Sequence, residues 1–226
     1  MRPGTRLVIL GKQGAGKGTQ AVRLSRHYVV PHVATGDIFR AAVRSGSEFG
    51  QRARAFLDAG ELVPDEIVIG MVNERLTHDD TTHRGFILDG FPRTAQQAEA
   101  LMPILEPIGL DLAVNLEVDT EHVLLRLAAR RVCVDCGANY SVYDNPPRVR
   151  RICDVCGGEV VQRDDDRETA IRRRLEIYED ETAPLISWFE QRGLLVSVDG
   201  LGDPDAVTDR LVAEVDRRQQ MASPPV

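Results

Sequence analysis

The chain has 226 residues and a formal net charge of −7, with 42% hydrophobic and 28% charged residues. That length suffices for one domain with a full core and small inserts, and the acid excess speaks against general nucleic-acid binding. No apolar run approaches the ~20 residues of a membrane span, and strand signals begin near residue 6, which leaves no room for a signal peptide and points to the cytoplasm.

Strand and helix signals alternate along the chain. Residues 6–10 read as a strand and 17–28 as a helix. Helices are expected at 38–45 with Thr35 as N-cap, at 48–59, and at 64–76 opened by Pro64. Residues 85–88 form a short apolar strand ending in Asp89, followed by a helix over 94–105. A strand at 112–116 and an amphipathic helix at 120–131 come next. Residues 132–163 break the rhythm with Cys, Gly and Pro. A long helix spans 168–191, kinked near Pro184, then a strand over 194–199 and a helix over 204–218; the tail from 222 reads as disordered. The alternation implies an α/β fold, a parallel sheet with helices on both faces. Two inserts interrupt it: residues 34–63, helical with no strand, and the segment at 132–163. No internal repeat is present.

Between the first strand and helix lies Gly11-Lys12-Gln13-Gly14-Ala15-Gly16-Lys17-Gly18-Thr19. Glycines there let backbone N–H groups converge on phosphate oxygens, and the helix N-terminus adds positive partial charge. Lys17 brings a mobile cation to the β- and γ-phosphates. The chain holds two lysines, Lys12 and Lys17, among 28 basic residues; a chain that otherwise uses arginine keeps a compact point charge in this loop. Asp89, at the end of a neighbouring strand, is placed to hold Mg²⁺ directly or through water. Most arginines belong to solvated faces. Arg126 and Arg130 are four apart, so they share a helix face towards the cysteine insert, and Arg163 sits where that insert ends. No nucleophile with a base partner is apparent, and the five histidines lack motifs.

All four cysteines fall in the second insert as Cys133-x2-Cys136 and Cys153-x2-Cys156, each pair followed by glycine. Two tight turns presenting four thiolates suit a closed tetrahedral zinc site, which would organise a segment too small to build a core. Two disulfides or a redox dithiol are the alternatives, and a cytoplasmic setting disfavours the disulfides; iron could occupy the same site.

Gly14-Ala15-Gly16-Lys17-Gly18-Thr19-Gln20, Thr35-Gly36-Asp37 with Arg40, Asp89-Gly90-Phe91-Pro92-Arg93-Thr94 with Gln97, and Arg163-x-Asp165-Asp166 together resemble the adenylate kinase family, from Arg6 to Asp199. The resemblance implies a P-loop three-layer fold with a parallel five-stranded sheet. It implies a core of 1–33, 64–128 and 167–226, an AMP-binding arm at 34–63 and a zinc-stabilised lid at 129–166. Gly14, Ala15, Gly16, Lys17, Gly18 and Thr19 match residues that hold ATP phosphates; Arg126, Arg130, Asn139, Tyr140 and Gly202 match further ATP contacts. Thr35, Arg40, Gly90, Phe91, Pro92, Arg93 and Gln97 match the AMP site, with Gln97 reading the adenine edge and the backbone of Glu61, Leu62 and Val63 lining its pocket. Arg163 and Arg174 match arginines that bridge the transferring phosphates; with Lys17, Arg93 and Arg130 they form the implied catalytic set.

Two positions depart from the family pattern: Gln13 stands where proline is usual, and Gly202 lies in a shifted Asp199-Gly200-Leu201-Gly202-Asp203-Pro204 segment. Gly18, part of the matching motif, stands where many other phosphate loops carry Ser or Thr. The implied reaction is ATP + AMP ⇌ 2 ADP with Mg²⁺, carried out by a cytoplasmic monomer with no nucleic-acid or membrane partner. A UMP/CMP kinase, or a P-loop nucleotide switch with a zinc interaction module, are the alternatives.

Overall fold

A computed structural model describes residues 4–222. In chain order the elements are β1 (Arg6–Leu10), α1 (Lys17–Tyr28), β2 (His32–Ala34), α2 (Thr35–Arg44), α3 (Glu48–Ala59), α4 (Asp65–Leu76), α5 (Asp79–Arg84), β3 (Phe86–Asp89), α6 (Ala95–Ile104), β4 (Leu112–Glu117) and α7 (Thr120–Ala129). There follow β5 (Arg130–Cys133), β6 (Asn139–Ser141), β7 (Val160–Val161), α8 (Glu168–Ile177), α9 (Pro184–Glu190), β8 (Leu195–Asp199) and α10 (Pro204–Ala222).

All five residues of β1 are buried, as an apolar run covered on both faces requires. The parallel sheet runs β2-β3-β1-β4-β8. Side chains alternate across it. Leu7 and Ile9 join Leu24, Leu127 and Leu211 from α1, α7 and α10 in one core. Val8 and Leu10 join Val72, Leu101 and Phe189 from α4, α6 and α9 in the other. The loops that leave the C-terminal ends of β1, β3, β4 and β8 therefore gather on one edge, where open parallel sheets bind ligands.

Several local expectations need correction. The strand β2, which reaches into the stretch expected to be helical, has only three residues and is held by its register on β3, Val33 opposite Leu88; so short a run carries no periodic signal. Thr35 is not a cap. It is the first residue of α2 behind Ala34, and its hydroxyl donates to Gly90 O at 2.9 Å. The polar helix α5 was not expected; the Thr81 hydroxyl ties it to His78 O at 2.7 Å. The long helix breaks into α8 and α9 through a wide turn at Tyr178–Thr182, where Ala183 N donates to Tyr178 O at 2.7 Å. Pro184 has no N–H to continue the ladder, and the wide turn accommodates it. Helix α7 ends at Ala129, and Arg130 is already extended (φ −64°, ψ 138°). Arg126 and Arg130 thus do not share a helix face. Helix α10 reaches Ala222; the rest of the tail expected to be disordered lies outside the described residues.

The segment that broke the rhythm forms a three-stranded antiparallel sheet, β6-β5-β7.

Candidate active site

The chain leaves β1 through glycines whose backbones need left-handed torsions: φ is 83° at Gly14 and 103° at Gly16. A Cβ on Gly14 would also stand 2.9 Å from Leu127 Cγ. Gly16 caps α1 without a side-chain hydrogen bond, so the first N–H groups of the helix stay open to an anion. Lys17 Nζ donates to Gly11 O at 2.6 Å and Lys12 O at 2.9 Å. Burial lowers its pKa to about 7 against the pull of Asp89, and the positive fields of Arg93, Arg174 and Arg130 add to the lowering.

Asp89 ends β3 beside this lysine. Burial alone would raise its carboxyl, but the close approach of His32 and the charges of Lys17 and Arg93 hold it below the ordinary value. His32 Nε2 lies 3.4 Å from Asp89 Oδ2, and a Cβ on Gly18 would lie 3.4 Å from the same oxygen. Among the described residues, buried side-chain nitrogens without a hydrogen bond include Gln13 Nε2, on the loop itself, and His32 Nε2, beside Asp89. Arg126 joins the loop to the segment after β8, donating to Ala15 O at 3.1 Å and to Gly200 O at 3.4 Å. Gly202 follows with φ 102°, and Thr19 is exposed on α1.

Opposite the loop lies a cleft between α2, α3, the turn after β3, and α8. Thr35, Arg40, Glu61, Leu62, Val63, Gly90, Arg93, Gln97, Arg163 and Arg174 all line it. Phe91 and Pro92 do not; the Phe91 side chain is fully buried in the core, and Pro92 is buried beside it. Arg93 Nε donates to Gly90 O at 2.8 Å, and Arg40 pairs with Asp37. The Glu61 carboxylate turns away to Arg173 Nε at 2.6 Å. Gln97 is 1% exposed. Its Oε1 accepts from Arg93 N at 2.8 Å, and its Nε2 donates to Asp65 Oδ1 at 2.7 Å.

Two acids hold the arginines that join cleft and loop. Arg163 Nε donates to Asp165 Oδ1 at 2.8 Å, and Arg174 Nη1 lies 3.2 Å from Asp165 Oδ2. Arg130 Nε donates to Asp166 Oδ2 at 2.7 Å. Burial would raise the Asp165 carboxyl, yet Arg174 and Arg163 bring it down to about 2. Burial lowers Arg174 to about 10, with Asp165 opposing and Arg163, Arg130 and Arg93 reinforcing. Crowded cations around an open cleft form a site for an anion of more than one charge.

The sequence reading missed several residues here. Phe39, Leu57 and Val68 supply the apolar wall; Phe39 lies four residues after Thr35, so helical spacing could have suggested it. Asp165 and Asp166 stood beside Arg163 in the quoted motif, but Arg130, which Asp166 binds, is 36 residues away, and Arg174, which approaches Asp165, lies on the following helix. Asp65 reads locally as an acid favouring a helix N-terminus.

In the small sheet, the four cysteine sulfurs lie within 4.8 Å of one another, with Cys133–Cys156 and Cys136–Cys153 each at 3.5 Å. All are free thiols. Tetrahedral thiolates on a zinc-sized ion stand ~3.8 Å apart, so the cluster fits such an ion. The Tyr140 hydroxyl, 3.3 Å from Cys153 Sγ, and local N–H groups draw that thiol down to about 6. Tyr140 is buried with Cys133, Cys153 and Val160, so its ring faces the sulfurs, whereas Asn139 is exposed.

The family model for adenylate kinase matches residues 9–194. The chain is 50% identical over 215 residues to the adenylate kinase of Thermodesulfovibrio yellowstonii, covering 94% of this chain and 100% of that one. It is 46% identical over 213 residues to that of Methanococcoides burtonii (93% and 98% covered) and 49% over 211 residues to that of a Geobacter species (92% and 98%). A phosphate loop facing an arginine-lined cleft agrees with these matches, and the chain belongs to the adenylate kinase family, the phosphotransferases that interconvert ATP plus AMP with two ADP.

Proposed function

We propose that the chain carries out ATP + AMP ⇌ 2 ADP with ATP on the glycine-rich loop and AMP in the arginine-lined cleft. The observation that carries this assignment is electrostatic: Lys17, on the loop, lies in the field of Arg93, Arg174 and Arg130, the last two of which Asp165 and Asp166 hold beside the cleft. Gly14 to Thr19 cradle the ATP phosphates; Arg126, Arg130, the main chain of Asn139–Tyr140 and Gly202 complete that side. Thr35, Arg40, Arg93, the backbone of Glu61–Val63 and of Gly90–Pro92, and Gln97 hold AMP. Arg163 and Arg174 bridge the two phosphates.

The acceptor phosphate has a second pKa of about 6, so it is an anionic nucleophile at neutral pH and needs no general base. The chain's task is to bring two anions into line and spread charge from the moving group over Lys17 and the arginines. Asp89, kept ionised and adjacent to Lys17, would hold a magnesium ion, through water because Gly18 offers no hydroxyl; such an ion would offset negative charge on the transferring phosphates. Water competes as acceptor, so closure of an arm at 34–63 and a lid at 129–166 over the core excludes it before transfer. The four thiolates hold structural zinc in the lid. Both sites are complete within one chain, which supports a monomer, and free thiols support a reducing, cytoplasmic setting.

The test is ADP formation from ATP and magnesium with AMP, UMP, CMP and GMP in turn. AMP is expected to give by far the highest kcat/KM. Equal or greater turnover with a pyrimidine monophosphate would overturn the AMP assignment.

A further inference from the structure

Gln97 is the side chain assigned above to the base of the monophosphate, and its amide can face that base in two ways. A carboxamide turned end for end exchanges O for NH2 with almost no change of shape. One orientation suits adenine: NH2 towards N1, which accepts, and oxygen towards the N6 amino group, which donates. The other suits a 6-oxopurine, whose N1 carries hydrogen and whose C6 carries oxygen.

In this chain the amide is fixed from both ends. The Arg93 N–H donates to Gln97 Oε1 at 2.8 Å, and only an oxygen receives it. Asp65 Oδ1 accepts from Gln97 Nε2 at 2.7 Å, and a carboxylate offers acceptors alone. The other Asp65 oxygen accepts from Thr94 Oγ1 at 2.6 Å, and Thr94 Oγ1 accepts from Gln97 N at 3.2 Å. The three residues form a ring that closes through the Gln97 backbone N–H at the start of α6. With Gln97 1% exposed, water does not replace a lost partner, and turning the amide would set NH2 against N–H and oxygen against carboxylate. One hydrogen on Nε2 and one lone pair on Oε1 stay free for a ligand. They present the adenine pattern.

We propose that Asp65 is the residue that sets purine selectivity: by accepting from Gln97 Nε2 it locks the amide in the adenine-reading orientation and turns away inosine and guanosine monophosphates. The proposal rests on the assignment of Gln97 to the AMP base. Asp65 acts through Gln97, as a positioning residue.

The measurement is the ratio of kcat/KM for AMP to that for inosine monophosphate, in wild type, Asp65→Ala, Asp65→Asn and Gln97→Ala, with thermal melts. Asp65→Ala is expected to lower the ratio by roughly tenfold or more, because a site built to hydrogen-bond one pattern discriminates steeply. Asp65→Asn has one accepting oxygen for two donors, Gln97 Nε2 and Thr94 Oγ1, so its ratio is expected between those of wild type and Asp65→Ala. General damage to the cleft would lower both substrates together and leave the ratio alone. Asp65→Ser retains a hydroxyl for Thr94 without reaching Gln97 and gives the same readout if Asp65→Ala fails to fold. An unchanged ratio in folded Asp65→Ala or Asp65→Ser, with a lowered ratio in Gln97→Ala, overturns the role of Asp65 alone. An unchanged ratio in Gln97→Ala overturns the base assignment, and the proposal with it.

Discussion

Lys17 donates to two carbonyls of its own loop, and burial brings its amine to about 7. A phosphate offers a charged acceptor in place of those carbonyls and restores the cation. Because that interaction strengthens as charge develops on the transferring group, Lys17→Ala should lower kcat on the order of 10²-fold or more with an unaltered thermal melt. Arg93→Ala should instead raise the KM for AMP and leave the ATP dissociation constant near wild type, a contrast that separate equilibrium titrations would reveal. Asp165 carries a pH signature of its own. Its folded pKa of about 2 lies below the model-peptide value of 3.8, so its ion pairs with Arg163 and Arg174 stabilise the fold above about pH 4 and lose that effect as pH falls through about 2. The contribution is on the order of 2 kcal/mol. Denaturant unfolding of Asp165→Asn beside wild type should show that difference near neutral pH and a closing gap below about pH 3.

At the scale of elements, the small sheet depends on its cysteines. Its buried group is Cys133, Tyr140, Cys153 and Val160, too little apolar surface to hold three short strands. We expect about one zinc per chain by elemental analysis. Chelation should raise hydrogen exchange across β5, β6 and β7 while the parallel sheet keeps its protection, because metal binding is part of the folding free energy there. This unit was legible in the sequence because its ligands repeat within a few residues. So was the phosphate loop, where an apolar run, glycines and a lysine are contiguous. What was not legible is non-local. Arg130 and Asp166 are 36 residues apart, and Asp65 and Gln97 are 32 apart. The strand β2 exists because β3 pairs with it, and α5 is too polar to show a buried face. The break between α8 and α9 was expected near Pro184, but its form, a widened turn over the preceding five residues, depends on packing.

On the scale of the molecule, the sheet brings two binding regions to one edge, and the proposed arm and lid belong one to each. In that proposed division the arm at 34–63 carries Thr35 and Arg40, and the lid at 129–166 carries Arg130. A ligand shifts only the piece it binds better when closed. ATP alone should therefore close the lid, AMP alone the arm, and two adenosines joined by five phosphates should close both. Paired distance labels across each insert distinguish the two motions, and closure of the arm by ATP as complete as with the joined ligand would mean a single coupled gate. The distribution of lysine across the chain has a practical corollary. Both lysines stand in the phosphate loop; Lys12 is tethered to Glu179 at 3.0 Å and Thr120 at 2.8 Å, while Lys17, at about 7, is partly an uncharged amine near neutral pH. Lysine acylation, which scatters over the surface of most proteins, would here fall on the nucleotide site alone. A dye coupled through lysine becomes a gauge of occupancy, blocked by ATP and taken up as the site empties, and fastening this enzyme to a support through its lysines would silence it.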